Sequence, residues 1–213
     1  MTSNPPRKGI PFVISAPSGT GKTTTCKLLR QRLPELGFSV SHTTRKPRQG
    51  EVHGVDYHFI PEEEFKRKIE QGDFLEYAQV HNHYYGTAFE TVDRFTQNGD
   101  DILLELDVQG VETLRTKNYP AVYIFILPPS LEELKKRLTQ RGTETAEKIQ
   151  ERIEVGKHEI TRYTLYDYVT TNFVVEETVD NLVSIIHAER SRSSRYQPPC
   201  KDIAALLRSK ASI

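Results

Sequence analysis

The sequence predicts one α/β domain in which a parallel β-sheet is covered by helices on both faces. Three observations lead to this fold class. The 213 residues are enough for one such domain with a buried core and an insertion. Apolar segments alternate with helical stretches along much of the chain, which is typical of a parallel sheet with crossover helices. A glycine-bearing turn joins the first apolar segment to the first helical stretch, as in a strand–loop–helix unit.

The predicted core elements follow in order along the chain. The first strand is Ile10–Ser15, and a helix from Lys22 to about Leu33 follows the turn. Ser130 with Glu133 fits a capping box at the start of a later helix. Apolar runs predict three later strands, and the stretches beside them predict four helices. The strands are Ile102–Asp107, Val122–Leu127 and Tyr168–Val175, and the helices cover about 109–117, 130–140, 145–162 and 178–191.

Between Ser39 and Tyr85 the pattern changes, which predicts a small insertion with a mixed sheet. One helix, Glu62–Gln71, ends at Gly72. Short alternating pieces surround this helix, namely Val40–His42, Tyr57–Ile60 and Phe74–Val80. A further strand–helix repeat of the core is therefore not expected here.

The composition excludes several classes of function. Lys and Arg total 29 and Asp and Glu total 29, so the overall charge balance favours neither nucleic acid nor an anionic membrane as a partner. Two cysteines are too few for a disulfide framework. The longest apolar stretch, Ala121–Leu127, is far shorter than the roughly 20 residues of a spanning helix. We therefore expect a cytoplasmic protein that acts on small molecules.

The segment after the first strand predicts a phosphate-binding P-loop. It consists of Ala16, Pro17, Ser18, Gly19, Thr20, Gly21, Lys22 and Thr23, with Ala at the first position in place of Gly. The glycines let backbone N–H groups turn toward a phosphate, and the following helix adds its positive N-terminal end. We expect Lys22 to reach the β and γ phosphates of ATP and the Thr23 hydroxyl to bind Mg²⁺. The alternative is a glycine-rich turn with an incidental lysine, and the strand and helix around the motif argue against it.

Two carboxylates, Glu105 and Asp107, end the predicted strand Ile102–Asp107. From this position a carboxylate can hold a Mg²⁺-bound water beside the P-loop. Acidic residues also commonly end strands, so Glu105 has two readings, a role beside the metal and a plain turn.

A P-loop alone does not separate a kinase from a GTPase, an ATPase motor or a sulfotransferase-like protein. The insertion contains the segment TTRKPRQGEVHGVDYHFI at 43–60, with two arginines and a tyrosine around a rigid proline and two glycines. Arginine binds phosphate through paired N–H groups, and a tyrosine hydroxyl adds a neutral donor. Taken alone, this cluster is either a second phosphate site or a solvated loop.

Several separated motifs together resemble the guanylate kinase family, over about 11–188. They are the P-loop, the TTR segment at 43–45, FLEYA at 74–78, YYGT at 84–87, LDVQG at 106–110, and Arg137 with Arg141. The resemblance implies direct in-line transfer of a phosphoryl group from ATP to GMP or dGMP, with Mg²⁺ as cofactor. It also implies one domain with a three-layer P-loop kinase core at about 9–38, 97–130 and 160–190, a GMP-binding insertion at about 39–90 and a helical lid at about 131–159.

The resemblance also assigns the residues that bind the acceptor. The GMP phosphate would be held by Arg45, Arg48, Tyr57 and Tyr85. The guanine side would be formed by Ser41, Glu76, Gly86, Thr87 and Asp107. Packing of an edge strand is the alternative role for Tyr84 and Tyr85, and capping of a helix that begins near Ala88 is the alternative for Thr87.

The guanine assignment agrees with the chemistry of the base. Guanine presents N1–H and its amino group side by side, so a carboxylate such as Glu76 can accept from both, and a hydroxyl can donate to O6. Adenine would instead set a lone pair against that carboxylate. Sites that leave buried polar groups unpaired can reject a ligand by roughly 10⁴-fold, so we expect AMP to be a poor acceptor.

Arginines near the predicted lid complete the expected machinery. Arg137 and Arg141 are four residues apart on the helix from Leu131, hence on one face, and Arg152 lies on the next helix beyond Gly142. The attacking phosphate oxygen of GMP is already ionised, so positioning and charge stabilisation supply the acceleration. A solvated basic helix paired with neighbouring glutamates is the alternative reading.

Three further features of the sequence concern the adenine contact, metal binding and the chemistry of cysteine. Asn172 resembles the family's adenine contact, although Phe173 replaces the usual acidic residue after it. The seven histidines show no metal-ligand spacing, and Cys26 fits a small core residue. The rival functions are a non-catalytic interaction module and a kinase for AMP, UMP or a sugar phosphate.

Overall fold

The computed structural model describes residues 7–80, 82–140, 145–196, 198, 200 and 202–203. The strands are β1 Pro11–Ser15, β2 Gly37–Phe38, β3 His42–Thr43, β4 His58–Phe59, β5 Phe74–Val80, β6 His83–Ala88, β7 Ile102–Glu105, β8 Val122–Leu127 and β9 Tyr168–Thr171. The helices are α1 Lys22–Arg32, α2 Glu62–Glu70, α3 Phe89–Gln97, α4 Val108–Thr116, α5 Leu131–Gln140, α6 Ala146–Thr161 and α7 Val175–Arg190, with a 3₁₀ turn at Tyr163–Leu165.

The larger sheet has five parallel strands in the order β2-β7-β1-β8-β9. Alternate side chains of β1 point to opposite faces, so the strand contributes to two separate apolar cores. Phe12 and Ile14 pack with residues of α1 and α7, whereas Val13 packs with residues of α4. Burial on both faces explains why these strands are almost continuously apolar, and it confirms the predicted fold class.

The smaller sheet is mixed, as predicted, with the order β4-β3-β6-β5. Strands β3 and β4 are parallel, whereas β6 is antiparallel to both β3 and β5. Phe65 of α2 stacks on Phe74 at 4.4 Å and on Tyr84 at 5.4 Å between ring centroids. Because β6 lies inside the sheet, the edge-strand reading of Tyr84 and Tyr85 is wrong.

Two predicted strands are shorter in the structure than the apolar pattern indicated. The last strand ends at Thr171 and not at Val175, because Phe173 and Val174 are exposed and α7 begins at Val175. The Thr178 hydroxyl donates to the Val174 carbonyl at this helix start, which therefore lies three residues earlier than predicted. The strand at 102 ends at Glu105, since Asp107 is already the N-cap of α4.

The other local predictions concern where helices begin and end. The Ser130 hydroxyl accepts from the Glu133 N–H at 3.0 Å, so the expected capping interaction is present. Helix α2 ends one residue before its cap at Gln71, and Gly72 has a φ of 73°. The predicted helix stop, Gly142, lies outside the described residues. In the part of the chain that the structure describes, no helix is long and apolar enough to cross a membrane.

Candidate active site

The predicted phosphate-binding loop, Ala16–Thr23, follows the carboxyl end of β1 in the middle of the larger sheet. The loop turns tightly, with the Thr20 N–H donating to the Pro17 carbonyl at 3.1 Å. Gly19 and Gly21 have φ angles of 92° and 102°, a left-handed conformation that glycine adopts without steric cost. Because Gly21 at the N-cap has no side chain, the first N–H groups of α1 stay accessible to an anion.

The side chains after the loop connect β1 with the neighbouring strand β7. Lys22 Nζ donates to the Leu106 carbonyl at 2.6 Å, and Thr23 Oγ1 donates to Glu105 Oε1 at 2.8 Å. A hydroxyl and a carboxylate at this distance form an oxygen donor set of the kind that Mg²⁺ prefers. The structure thus brings Thr23 and Glu105 together, whereas the sequence alone also allowed Glu105 to be an ordinary turn residue.

Arg45, Tyr57 and Tyr85 come together at one side of the smaller sheet. The Arg45 guanidinium lies 5.4 Å from the ring centroid of Tyr57, and the rings of Tyr57 and Tyr85 are 5.9 Å apart. Arg45 also forms a two-point ion pair with Glu51, with both N–O distances at 2.9 Å. Arg48 is exposed, and its backbone N–H donates to Glu51 at 2.7 Å.

Glu51 is a functional-site residue that the sequence reasoning missed. Its hydrogen bond from Arg45 lowers the pKa of the carboxyl group, so Glu51 is a fixed negative charge beside two arginines. The available signal was an isolated acidic residue directly after the basic stretch 45–48. Nearby, burial raises the pKa of Tyr57 to about 12, which keeps its hydroxyl protonated as a donor.

Glu76 and Thr87 form a buried pair between β5 and β6. Glu76 is 4% exposed, and Thr87 Oγ1 donates to its Oε1 at 2.6 Å. Burial raises the pKa of Glu76 to about 7, the Thr87 hydrogen bond opposes that rise, and the Asp107 charge adds to it. The N-cap of α3 is Ala88, so the capping role considered for Thr87 is wrong.

The start of α4 forms the wall behind Glu76. Asp107 caps this helix by accepting from the Gly110 N–H at 2.8 Å. A Cβ atom on Gly110 would lie 2.7 Å from Glu76 Oε2, which is a steric clash. Lys117 of the following turn donates to the Leu75 carbonyl at 2.8 Å, directly beside Glu76. The sequence placed Gly110 within the motif at 106–110, but it did not predict that the absence of a side chain there leaves space for the Glu76 carboxylate.

Ser41 directly precedes β3, and Gly86 lies on β6 one residue before Thr87. Ser41 is half-buried, and its carbonyl accepts from the His58 N–H at 2.9 Å. Gly86 packs against aromatic rings, since a Cβ there would lie 2.9 Å from Phe65 Cζ and 3.0 Å from Phe74 Cδ1. The need for glycine at this position is therefore explained by ring packing.

Two of the three expected arginines contact the P-loop. Arg137 Nη1 donates to the Thr20 carbonyl at 2.9 Å, and its Nε donates to Glu133 at 2.9 Å. Arg152 Nη2 donates to Ser18 Oγ at 2.6 Å. The pairing with a neighbouring glutamate that the alternative reading expected is present for Arg137, and Arg137 contacts the P-loop in addition. Arg141 lies outside the described residues.

Asn172 supports the loop from the end of β9. It is 1% exposed, its Nδ2 donates to the Thr20 carbonyl at 2.7 Å, and its Oδ1 accepts from Thr178 at 3.1 Å. Arg137 and Asn172 thus share the Thr20 carbonyl as an acceptor. Phe173 is 67% exposed beside this support.

The histidines and Cys26, which the sequence did not assign to the site, have packing partners in the structure. His42 and His58 stack at 4.6 Å between centroids on β3 and β4, with His53 5.6 Å from His58. Among the described residues, no cluster of His, Cys, Asp and Glu could hold a metal ion. Cys26 is buried in the core, and burial raises the pKa of its thiol, as expected for a packing residue.

Comparison with known proteins identifies the family. A family model described as guanylate kinase matches residues 8–189. Guanylate kinase from Geobacter metallireducens is 44% identical over 89% of this chain and 93% of that protein, and guanylate kinase from Clostridium tetani is 47% identical over 89% and 91%. A crystal structure of guanylate kinase from Anaplasma phagocytophilum is 32% identical, covers 97% of both chains and superposes with a TM-score of 0.77. With the P-loop and the Glu76–Thr87 pair already in place, the chain belongs to the guanylate kinase family.

Proposed function

We propose that the chain transfers the γ-phosphoryl group of ATP in line to GMP, and that it uses dGMP in the same way. It is a kinase that phosphorylates GMP to GDP with ATP as the co-substrate. The observation that carries the choice of base is the buried Glu76 carboxyl group with the Thr87 hydroxyl at 2.6 Å. The proposal assigns this pair to the base and not to the sugar, and it therefore extends to dGMP.

Guanine recognition follows from the hydrogen-bonding groups of this pair. In its ionised form, Glu76 accepts from N1–H and the amino group of guanine. Ser41 and Asp107, on either side, belong to the same proposed surface, with Gly86 giving the strand its close packing on α2. Because Glu76 is buried, a base that offers no N–H there leaves the desolvated carboxyl group with the Thr87 hydroxyl but without the two donors of guanine.

The phosphate of GMP has a separate set of partners in the proposal. Arg45 and Arg48 supply positive charge, and the hydroxyls of Tyr57 and Tyr85 supply neutral donors. Glu51 keeps the Arg45 guanidinium in a fixed orientation through its two-point ion pair. A pre-oriented guanidinium loses less conformational entropy when it binds phosphate.

The transfer itself needs charge stabilisation more than proton transfer. The acceptor oxygen is ionised at neutral pH, so no general base is required. Lys22, Arg137 and Arg152 lie around the loop that holds the donor phosphates, and we assign Arg141 to the same set. Cations held in fixed positions stabilise the charge of the transferring phosphoryl group without reorganisation during the reaction.

The oxygen donors at the end of β7 fit a magnesium ion. Thr23 would bind Mg²⁺ directly, and Glu105 would hold one of its water ligands. When bound, Mg²⁺ neutralises charge on the β and γ phosphates of ATP. The chain's own contribution is a fixed hydroxyl–carboxylate pair beside the loop.

The remaining assignments concern organisation and location. We assign the core to about 9–38, 97–130 and 160–190, the acceptor-binding insertion to about 39–90 and the lid to about 131–159. The contacts of Arg137 and Arg152 with the P-loop support a lid that lies over the donor site. A cytoplasmic location fits the supply of guanine nucleotides, and the expected partners are the small molecules GMP and ATP.

The decisive experiment compares acceptors under one set of conditions. Release of ADP from ATP is followed with GMP, dGMP, AMP and UMP, and kcat/KM is determined for each. GMP and dGMP are expected to be preferred over AMP by roughly 10⁴-fold, because adenine sets the lone pair of its N1 against Glu76 and offers no N–H there. Comparable values for AMP or UMP would contradict the proposed acceptor, and no turnover with any acceptor would favour an interaction module.

A further inference from the structure

One face of α6 lies directly on the P-loop. Arg152, Gly156 and Glu159 are spaced by four and three residues, which aligns them along one side of a helix. Arg152 Nη2 donates to Ser18 Oγ at 2.6 Å. A Cβ atom on Gly156 would lie 3.1 Å from Leu134 Cδ2 and 3.8 Å from Pro17 Cβ, so the absence of a side chain permits the close approach. Glu159 is the third residue of this face.

Glu159 lies among the charges of the donor site. Its Oε2 is buried and has no hydrogen-bond partner among the described residues. Four other groups act on the carboxyl group: Lys22 of α1, Asp107 at the start of α4, the backbone N–H of Ser18, and Arg152 of its own helix. Tyr166, after the 3₁₀ turn, also faces Glu159. The side chain thus belongs to the electrostatic surroundings of the phosphate site.

A packing role alone does not explain a glutamate at this position. Burying a carboxyl group with one oxygen unpaired is unfavourable, and an apolar side chain or a glutamine would avoid much of this cost. Burial accordingly raises the pKa of Glu159 to about 7, and the charge of Asp107 adds to this rise. The charge of Lys22, the Ser18 N–H and the charge of Arg152 each lower the pKa. A group kept at such a cost next to Lys22 and Arg152 suggests a role in aligning those cations.

We propose that Glu159 is a positioning residue of the phosphoryl-transfer site, whose carboxylate holds Lys22, Arg152 and the Ser18 backbone in fixed relation to one another. This inference rests on the proposed function, because the cations it positions are those assigned to the donor phosphates. Lys22 has a long flexible stem and a compact charge, so it needs external partners to define its direction. The Leu106 carbonyl accepts from Lys22 Nζ at 2.6 Å, and the negative charge of Glu159 interacts electrostatically with the same ammonium group.

The test is Glu159→Gln, with Glu154→Gln as the matched control. Glu154 lies on the same helix, is exposed, and forms an ion pair with Lys157 at 2.9 Å on the solvent side. Glu159→Gln keeps the size of the side chain and removes its charge. We expect kcat/KM for ATP, at saturating GMP, to fall by about 10-fold at pH 8, since misaligned cations stabilise the transition state less. Glu154→Gln should stay within about two-fold of the parent protein.

The pH profile separates alignment by charge from support of the fold. As pH falls through about 7, the parent protein protonates Glu159 and should approach Glu159→Gln. The ratio of the two kcat/KM values is therefore expected to shrink from pH 8 to pH 6. Comparison at equal pH removes the titration of ATP itself. Glu159→Asp keeps the charge on a shorter stem, so it should retain the pH dependence with an intermediate loss.

Several outcomes would overturn the inference. The first is equal kcat/KM values for Glu159→Gln and Glu154→Gln at pH 8. The second is a loss of kcat/KM in Glu159→Gln that does not change with pH. The third is a loss of kcat/KM that accompanies a lowered thermal midpoint of unfolding in both Glu159→Gln and Glu159→Asp. In each case the parent protein remains active with ATP and GMP. An inactive parent protein would instead contradict the proposed function, so the two failures are distinguishable.

Discussion

The P-loop between β1 and α1 and the small sheet β4-β3-β6-β5 form the two sides of the site, and they present polar groups in different ways. The P-loop offers backbone N–H groups from one continuous segment, shaped by Gly19 and Gly21. The small sheet offers side chains that are far apart in sequence, such as Arg45, Glu76 and Thr87. Backbone groups bind any phosphate, whereas side chains at the sheet distinguish one base from another.

The difference extends to how each side is supported. Three distant groups bond the P-loop through its carbonyl and hydroxyl oxygens, namely Arg137, Asn172 and Arg152. On the acceptor side the polar side chains support one another, because Thr87 donates to Glu76 and Arg45 pairs with Glu51, and Gly110 leaves room for the Glu76 carboxylate. A change on the donor side should therefore affect all acceptors equally, and a change on the acceptor side should affect GMP selectively.

Lys22→Ala is expected to have the largest effect. The substitution removes the charge nearest the donor phosphates and leaves the loop backbone in place. We expect kcat/KM to fall by about 10³-fold with every acceptor, since electrostatic groups at the transition state are each worth several kcal/mol. Turnover assays with GMP and dGMP measure the effect. Activity close to that of the parent protein would contradict the assignment of the donor side.

Glu76→Gln should have the second largest effect and act on the acceptor only. An amide can offer one acceptor oxygen to guanine but sets an N–H group against the other donor. We expect kcat/KM for GMP to fall by about 10²-fold, while binding of ATP to the free enzyme changes little. Calorimetric titration with ATP is the control. A comparable loss of ATP affinity would show that the two sides are not separable.

The same contrast decides how much could be predicted from sequence. The P-loop was predicted completely, because its function depends on a contiguous segment with fixed spacing. Glu51 and Gly110 were missed, since each acts by orienting or accommodating a residue that lies far away in sequence or on another element. Predictions for the acceptor side came from a family resemblance and not from local pattern.

Errors in the fold have a related physical cause. The apolar residues at 173–175 extended a predicted strand, although Phe173 and Val174 are exposed in the structure. Composition alone does not tell a buried apolar residue from an exposed one near a binding site. The Thr178–Asn172 contact near the start of α7 depends on a side chain six residues away, in the loop between β9 and α7.

Gly110→Ala should have a smaller effect that tests the space behind Glu76. The added Cβ would lie 2.7 Å from Glu76 Oε2, so the carboxylate must move by a few tenths of an ångström or more. We expect KM for GMP to rise by about 10-fold, with kcat and KM for ATP within about two-fold. Gly72→Ala is the control for backbone strain, because Gly72 has a φ of 73°, no atom lies within 4 Å of its Cβ position, and it is not among the residues assigned to GMP. Equal effects of the two substitutions would remove the special role of Gly110.

The smallest expected effect is the pH dependence of GMP use, and it tests the state of charge of Glu76. Because its pKa is raised to about 7, Glu76 stays protonated in the folded protein between about pH 4.5 and 7, whereas in an unfolded chain, with the ordinary pKa of 4.5, it is ionised there. Between these values the native state binds more protons, so the free energy of unfolding contributed by Glu76 decreases as pH rises. Binding of guanine needs the ionised form, so kcat/KM for GMP should rise a few-fold from pH 6 to pH 8.

Activity and stability should thus respond to Glu76 in opposite directions over pH. The measurement is kcat/KM for GMP at saturating ATP, alongside thermal unfolding at each pH. Glu76→Gln is the reference, because it carries no titrating group at this position and keeps all other titrations, including those of the GMP phosphate, ATP and Glu159. If kcat/KM for GMP changes with pH in the same way in the parent protein and in Glu76→Gln, the carboxyl group is ionised throughout this pH range. The acceptor side would then bind guanine with a permanent charge, as the donor side binds phosphate with Lys22.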